Sequence, residues 1–218
     1  MANISNEFKS PLMEIVNLSK TLYNPNVEYD KQLGYLKHIN ENASELLALT
    51  DDVITISEIE SSAFLLHYEH IESSQLIIEV LNAVKSKNGN QDIIINMNLE
   101  KINVNADLPM LTKILHILLS EAIKLAKGAV DILIKSELRD DKLVIAIDDA
   151  KIPAGVDSMI EDVQKKYSSH RISQAGGRLG MSIAKKLVEL HNGDMNVGST
   201  SDLGSIFEVV LPQAYSVD

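Results

Sequence analysis

The chain has 218 residues, enough for one or two domains, and its 45% hydrophobic and 23% charged residues exclude a globally disordered protein. Thirty-one acidic and 20 basic residues give a net charge of −11, which argues against sequence-independent binding to nucleic acid. Cysteine is absent, which rules out disulfides, thiolate nucleophiles and cysteine-ligated metals.

The sequence predicts neither a secretory signal peptide nor a transmembrane span. The first twelve residues have no basic segment that precedes an apolar run. The most apolar stretch, residues 114–125, is interrupted by His116, Glu121 and Lys124. It therefore falls short of the roughly 20 apolar residues that a transmembrane helix needs. We expect a cytoplasmic protein that does not insert directly into a membrane.

Two amphipathic helices are predicted in residues 1–60. Apolar residues recur at three- and four-residue steps from Ile4 to Leu22, and a second stripe runs from Leu33 to about Ile59. Asn24-Pro25-Asn26 breaks the pattern between them, which predicts a helical hairpin. Because a lone hairpin cannot enclose its apolar stripe, we predict that two copies pair as a dimeric four-helix bundle.

Residues 61–218 predict a mixture of strands and helices. Helices are expected at about 73–84, capped by Ser73 or Ser74, at 107–126, opened by Asp107, and at 179–191. Strands are expected at 64–67, 93–97, 102–104, 130–137, 142–147, 194–199 and 205–211. Because strands and helices do not alternate strictly, this pattern predicts an α+β sandwich.

Three motifs lie on these predicted elements. Residues 5–12 read Ser-Asn-Glu-Phe-Lys-Ser-Pro-Leu, residues 117–124 read Ile-Leu-Leu-Ser-Glu-Ala-Ile-Lys, and residues 176–183 read Gly-Gly-Arg-Leu-Gly-Met-Ser-Ile. In this order they resemble the phosphoacceptor motif, the asparagine box and the second glycine box of the bacterial sensor histidine kinase core. The resemblance implies a dimerisation and phosphoacceptor domain at 1–60. It also implies an ATP-binding domain at 61–218, an α/β sandwich whose mixed sheet has helices on one face.

The resemblance places the phosphoacceptor histidine of the family at Asn6. An imidazole nitrogen has a basic lone pair that can attack phosphorus, whereas the nitrogen lone pair of a carboxamide is delocalised into its carbonyl. Glu7, at the position of the acid that the family uses as a base, and Ser10 are retained. The alternative interpretation of Asn6 and Glu7 is a solvated helix face.

The resemblance also implies that the nucleotide site is degenerate. Glu121 replaces the asparagine that helps to hold Mg²⁺ and phosphate. A carboxylate can ligate Mg²⁺, but it adds negative charge beside a triphosphate. The simpler expectation is that Glu121 lies on the surface of its helix. Asp149 matches the adenine-reading aspartate, but both glycines of the first glycine box are missing. Gly176 and Gly180 match the second glycine box, where Arg178 replaces a glycine. We therefore expect the binding of ATP and Mg²⁺ to be lost or very weak.

The histidines carry little further signal. His67 and His70 lack additional ligands at a suitable spacing, so no metal site is expected. His116 is expected in the core, and His191 at a helix end, where an imidazolium suits the helix dipole. His38, on the second predicted helix, invites comparison with a phosphoacceptor, although no glutamate follows it directly.

These observations favour a catalytically inactive histidine-kinase-like protein that acts as a dimeric docking scaffold or regulator in a two-component pathway. Its expected partners are a response-regulator receiver domain or another histidine kinase. The expected partner-binding residues are Met13, Asn17 and Lys20, just below the phosphoacceptor position. Two enzymatic alternatives stay open. One is a histidine phosphotransferase that relays phosphate through His38, and the other is a receiver phosphatase that uses the retained part of the phosphoacceptor motif.

Overall fold

A computed structural model of the chain describes residues 2–61, 64–88, 94–125, 131–149, 178–197, 205–212 and 214–216. These residues form two compact units. The first contains the described residues up to Phe64 together with Arg178 and Leu179, and the second contains those from 65 to 149 and from Gly180 onward. No described helix is both long enough and apolar enough to cross a membrane.

The first unit is the predicted helical hairpin. Helix α1 spans Ala2–Leu22 and helix α2 spans Tyr29–Glu60. The turn between them is closed locally, because the backbone N–H of Asn26 donates to the side-chain oxygen of Asn24 at 3.0 Å. The predicted break at residues 24–26 is confirmed. The pairing of two hairpins into a four-helix bundle stays a prediction.

Each predicted apolar stripe of the hairpin divides into two faces. On α1, Ile15 and Leu18 are half-buried, whereas Leu12 of the same predicted stripe is exposed beside Val16. On α2, the half-buried apolar residues include Ile39, Leu46 and Val53, and the exposed ones include Leu33, Leu36, Leu47 and Ile54. One hairpin therefore leaves part of its apolar surface exposed, as expected for a lone hairpin that cannot enclose its stripe.

The second unit contains, in chain order, β1 (Tyr68–Glu72), α3 (Ser73–Asn88), β2 (Ile94–Leu99), β3 (Ile102–Asp107), α4 (Leu108–Leu125), β4 (Asp131–Arg139), β5 (Lys142–Asp149), α5 (Arg178–Leu190), β6 (Asp194–Val197), β7 (Ser205–Pro212) and β8 (Ala214–Ser216). The predicted α+β class and the α/β sandwich are confirmed. The three helices turn their apolar sides inward, and buried residues such as Ile77, Leu118 and Leu187 line the core.

The larger sheet has five strands in the order β2-β4-β5-β7-β6. Strand β2 runs parallel to β4 and all other neighbours are antiparallel, so the predicted mixed sheet is confirmed. Strand β5 is central and buried from Leu143 to Asp148. The two residues of its hairpin turn with β4, Asp140 and Asp141, have φ values of 51° and 57°. Both lie in the left-handed region that a two-residue hairpin turn requires.

A second sheet of three strands, in the order β1-β3-β8, was not predicted. Strand β1 begins at Tyr68, so the strand predicted at residues 64–67 is wrong. Strand β8 spans only Ala214 to Ser216 and pairs with the first three residues of β3, 102–104. A strand of three residues is too short to show a period of two, and this is why the sequence pattern missed it.

The start of α3 also differs from the prediction. The helix begins at Ser73, and the preceding Glu72 supplies the acceptor for its first turn. The Oε1 atom of Glu72 accepts from the Ser74 hydroxyl and, at 3.4 Å, from the backbone N–H of Gln75. A carboxylate satisfies the free N–H groups of a helix start and suits the positive end of its dipole. The serine caps expected from the sequence are therefore wrong.

Candidate functional site

The retained part of the phosphoacceptor motif lies on α1. Asn6 is in the first half of the helix, and its side chain lies outside the described residues. Ser10 is exposed, but Glu7 is half-buried. The alternative of a fully solvated helix face is therefore wrong for Glu7.

The three predicted partner-binding residues are all exposed on α1. Met13, Asn17 and Lys20 follow each other at steps of four and three residues, so they lie along one side of the helix. The Met13 side chain is 53% exposed and lies beside Leu12 and Val16, which are exposed as well. The structure thus places the predicted docking residues next to an uncovered apolar patch.

Glu121 lies on α4 and is buried, with only 7% of its surface exposed. The expectation of a helix-surface position is therefore wrong. Its neighbours Leu118, Leu119, Ala122 and Ile123 are buried as well, so α4 is covered around most of its circumference. The run from Ile114 to Ile123 is polar only at His116, Ser120 and Glu121, a pattern compatible with a helix covered on most sides, but it does not show which of these polar residues is buried.

The other nucleotide-site positions are described only in part. Asp149 is the last residue of β5, and its backbone pairs with Ile132 of β4. Arg178 begins α5 and Gly180 is half-buried in the first turn of that helix. Gly176 and the side chains of Asp149 and Arg178 lie outside the described residues. The structure therefore does not bring the predicted set together in one described site.

Asp148 is a buried acid to which the sequence assigned no role. It is 4% exposed, and neither of its carboxylate oxygens has a hydrogen-bond partner in the described part of the chain. The Nζ atom of Lys135, on the neighbouring strand β4, lies 3.7 Å from its Oδ2 atom. A buried carboxylate without hydrogen bonds is costly, and the nearby ammonium group offsets part of that cost.

Asp107 connects three segments of the second unit. Its Oδ1 atom accepts from the backbone N–H of Met110 at 3.1 Å and so caps α4, as the sequence predicted. Its Oδ2 atom accepts from the backbone N–H of His67 at 2.8 Å, just before β1. Its own backbone N–H donates to the Nε2 atom of His191 at 3.1 Å, just after α5.

These contacts determine the protonation of His191. Because the Asp107 N–H is a donor, the Nε2 atom must accept and carries no proton. The Nδ1 atom lies 2.7 Å from the carbonyl oxygen of Leu187, an acceptor, and must carry the proton. The buried ring is therefore a neutral imidazole, packed edge-on against Tyr68 at 5.7 Å between centroids. The imidazolium expected at this helix end is wrong.

The rings of the remaining described histidines take no part in this network, although the backbone N–H of His67 does. His116 is half-buried rather than in the core. His67 and His70 are exposed, and the ring of His70 packs edge-on against Tyr215. His38 is exposed on α2 and contacts Glu41.

The comparison with protein families shows to which family the chain belongs. Residues 106–215, half of the chain, match the family described as histidine kinase-, DNA gyrase B- and HSP90-like ATPases. The chain belongs to this family. The match runs from the end of β3 to β8 and covers the helices α4 and α5 and the strands β4 to β8, whereas β1, α3 and β2 lie before it.

Curated relatives of this ATPase family member are histidine kinases and sensor proteins. The circadian input-output histidine kinase CikA of Synechococcus elongatus is 29% identical over 98% of this chain and 29% of its own length. The heme sensor protein HssS of Staphylococcus saprophyticus is 29% identical over 96% of this chain and 45% of its own length. The chain thus spans less than half of the length of these relatives.

Solved structures show the same fold. The histidine kinase AdeS of Acinetobacter baumannii superposes with a TM-score of 0.71 at 18% identity, over 95% of this chain and 97% of that chain. The histidine kinase ThkA, in complex with the response regulator protein TrrA, superposes with a TM-score of 0.70 at 22% identity, over 97% of this chain and 60% of that chain. The chain therefore has the fold of a sensor histidine kinase core.

Proposed function

We propose that this ATPase family member is a histidine-kinase-like signalling protein without kinase activity. It acts in the cytoplasm as a dimeric docking scaffold or regulator of a two-component pathway. The observation that carries this proposal is Asn6, which stands on α1 at the position of the phosphoacceptor histidine. A carboxamide nitrogen has no lone pair available to attack a phosphoryl group, so α1 cannot be phosphorylated at this position.

A second defect, in the nucleotide site, supports the same proposal. Glu121 is a buried carboxylate at the position where the resemblance predicts a neutral carboxamide beside Mg²⁺ and phosphate. A carboxylate lacks the N–H donors of a carboxamide and adds negative charge beside a triphosphate, so this residue does not fit the group. We therefore propose that ATP and Mg²⁺ bind very weakly or not at all. Two independent losses in one reaction are typical of a natural pseudokinase.

The exposed apolar residues of the hairpin support dimerisation. On α2, exposed Leu36, Ala43, Leu47 and Ile54 follow at steps of seven, four and seven residues, the spacing of a helix seam. Burying one large aliphatic side chain completely is worth about 1.5–3 kcal/mol. A second copy of the hairpin offers the same apolar face, and the four helices then form a bundle.

The docking surface that we propose for a receiver domain consists of Met13, Asn17 and Lys20. The flexible thioether of an exposed methionine adapts to different partner surfaces. The ammonium group of Lys20 attracts an acidic partner and raises its rate of association. Similarity to a kinase that forms a complex with a response regulator supports this class of partner.

The experiment uses a receiver domain in free and phosphorylated form. We expect the wild-type protein to bind the receiver, and the double variant Met13→Asp and Asn17→Asp to lose binding while it keeps its dimer mass and melting temperature. As a matched control, Lys31→Asp introduces a similar charge on α2 and leaves binding intact. Release of inorganic phosphate from the phosphorylated receiver would identify a phosphatase instead. Binding that survives the double variant would contradict the proposed surface.

A further inference from the structure

We propose that strand β2 pairs edge to edge with β2 of a second copy of this chain, so that two five-stranded sheets join into one. This contact is separate from the seam between hairpins, because β2 belongs to the second unit. Where the hairpins pair as well, it links one dimer to another. It therefore goes beyond the docking role and gives the second unit a function in assembly.

Strand β2 is an open edge of the larger sheet. It stands at one end of the strand order and pairs with β4 alone among the described strands. Ile94 and Met97 lie on opposite faces of the sheet, and their side chains are 61% and 49% exposed. Neither face of the strand is therefore fully covered at this edge. An uncovered strand edge is a template for pairing with a further strand.

The backbone groups of three β2 residues point away from the sheet. The N–H of Glu100, which directly follows β2, donates to the carbonyl oxygen of Ser136 on β4 at 3.1 Å. Alternate residues of a strand direct their N–H and C=O groups to opposite sides. Ile95, Met97 and Leu99 therefore direct theirs away from β4, and we call their backbone the free edge. A free edge offers a donor and an acceptor at every second residue, which an added strand matches.

Strand β2 also lacks the features that usually keep a strand edge from pairing. Its six residues, Ile94–Leu99, include no charged residue and no proline. The opposite edge strand of the same sheet, β6, has only four residues and begins with the exposed Asp194. The edge strand β1 of the smaller sheet carries Glu69 and Glu72. Two of the described edges are thus protected by charge, whereas β2 is not.

The free edge is complementary to itself. A two-fold axis at Met97 makes two β2 strands antiparallel and sets Met97 opposite Met97 and Ile95 opposite Leu99. Every one of these pairs consists of free-edge residues. Each pair can therefore exchange both of its backbone hydrogen bonds, as the hydrogen-bonded pairs of an antiparallel ladder do.

The side chains fit the same register. Those of the free edge lie on the face of the sheet that contains the buried Ile134 of β4, so that apolar groups meet apolar groups across the axis. On the other face, Asn96 lies opposite Asn98, and two carboxamides can bond to each other. Because β2 carries no charge, it offers a charged peptide no electrostatic contact. The occupant that fits this edge is therefore a second copy.

The size of the edge makes this contact weak. Six residues of strand bury well below the roughly 1,200 Å² of total surface that a stable interface needs. The net charge of −11 on each copy also opposes their approach. Pairing should therefore form at high protein concentration and strengthen when salt screens the charges. At low micromolar concentration the hairpin seam alone sets the mass.

The first test measures the mass of the full chain by sedimentation equilibrium, from micromolar to near-millimolar concentration. In the Leu47→Glu variant, which disrupts the hairpin seam, we expect the mass to rise from monomer towards dimer, and to rise further at higher salt. Met97→Lys in the same background should abolish the rise, because it sets two ammonium groups opposite each other. Ile78→Lys, at a residue of α3 that is 40% exposed, is the control and should keep the rise.

Cysteine cross-linking tests the register, because the chain contains no native cysteine. The Cα atoms of a hydrogen-bonded pair lie about 5.5 Å apart, within the range of a disulfide. Met97→Cys should therefore form a covalent dimer on mild oxidation at high concentration. Asn98→Cys is the matched control, since its partner position is Asn96. Two copies of residue 98 are offset by about 7 Å along the strands, which is too far for a disulfide.

A Leu47→Glu variant that stays monomeric at every concentration would overturn the proposal, and so would an unchanged rise in mass after Met97→Lys. Failure of Met97→Cys to cross-link, or equally fast cross-linking of Asn98→Cys, would contradict the register. A wild-type chain that is monomeric at micromolar concentration would count against the hairpin seam alone, because its mass would still report β2 pairing at higher concentration. The two interfaces can therefore fail separately.

Discussion

At the scale of single residues, Asp107 joins parts of the chain that are far apart in sequence. The sequence predicts that Asp107 opens a helix, because an acid followed by proline in the first turn is typical of a helix start. Its bonds to His67 and His191 could not be predicted, since these partners lie 40 and 84 residues away. Local patterns contain no information about which distant segments meet.

Replacing Asp107 should destabilise the second unit. Asp107→Ala removes the cap of α4 and leaves the N–H groups of Met110 and His67 without their acceptor. We expect the free energy of unfolding to fall by about 2–4 kcal/mol, the sum of a lost cap and an unsatisfied buried donor. Urea unfolding measures this change. The exposed Glu69→Ala in β1 serves as control and should change stability by less than about 0.5 kcal/mol.

Alanine substitutions at two glycines should change the free energy of unfolding in opposite directions. At Gly193, a Cβ atom would lie 2.4 Å from the carbonyl oxygen of Val210, so Gly193→Ala should cost about 1–3 kcal/mol. At Gly34, inside α2, a Cβ atom meets nothing within 4 Å, and Gly34→Ala should stabilise by about 0.5–1 kcal/mol. Thermal melts of the two variants check both signs. A stabilised Gly193→Ala variant would show that Val210 can move away at little cost.

At the scale of secondary-structure elements, the long helices and the strands of the larger sheet were predictable, whereas the short strands β1 and β8 were not. Helices α1, α2 and α4 span at least 18 residues each, which gives a clear apolar period. The three-stranded sheet depends on pairing between residues 102–104 and 214–216, more than 100 residues apart. Register across such a distance depends on the whole fold, and so the sheet was missed.

The apolar faces of the hairpin show the same limit. Periodicity identified the apolar residues of α1 and α2 but could not assign them to the face inside the hairpin or to the exposed face. That assignment depends on how one helix rotates against the other. The assignment of each residue to a face decides which substitution tests the dimer. A substitution of the exposed Leu47 affects the dimer alone, whereas a substitution of the half-buried Leu46 also weakens the hairpin.

We expect Leu47→Glu to convert the protein from a dimer into a monomer. Leu47 is 65% exposed in a single chain, so glutamate there leaves the hairpin intact but places two charges in the proposed seam between copies. Light scattering should show that the mass falls by half. Leu65→Glu, at an exposed leucine of the second unit, is the control and should remain dimeric. A wild-type monomer would refute the bundle.

At the scale of the whole molecule, the protein has the fold of a histidine kinase core, and we propose that it lacks the kinase activity. A fold does not determine an activity, because the activity depends on a few side chains placed on it. Here the sequence identified the positions that carry the proposed function, Asn6 and Glu121, but it could not show that Glu121 is buried. Burial follows from the packing of α4 against the other layers, which only the structure reports.

The proposed absence of kinase activity can be tested directly by phosphorylation in vitro. The wild-type protein and the Asn6→His variant are each incubated with Mg²⁺ and with ATP that carries ³²P at the γ position. Asn6→His restores the missing imidazole and leaves Glu121 in place. We predict no acid-labile, base-stable label on either protein, because the proposed loss of the nucleotide site affects both and the wild-type chain also lacks the imidazole. Label on the wild-type chain would contradict the account entirely. Label on Asn6→His alone would show that the nucleotide site is intact and that one substitution silenced a working kinase.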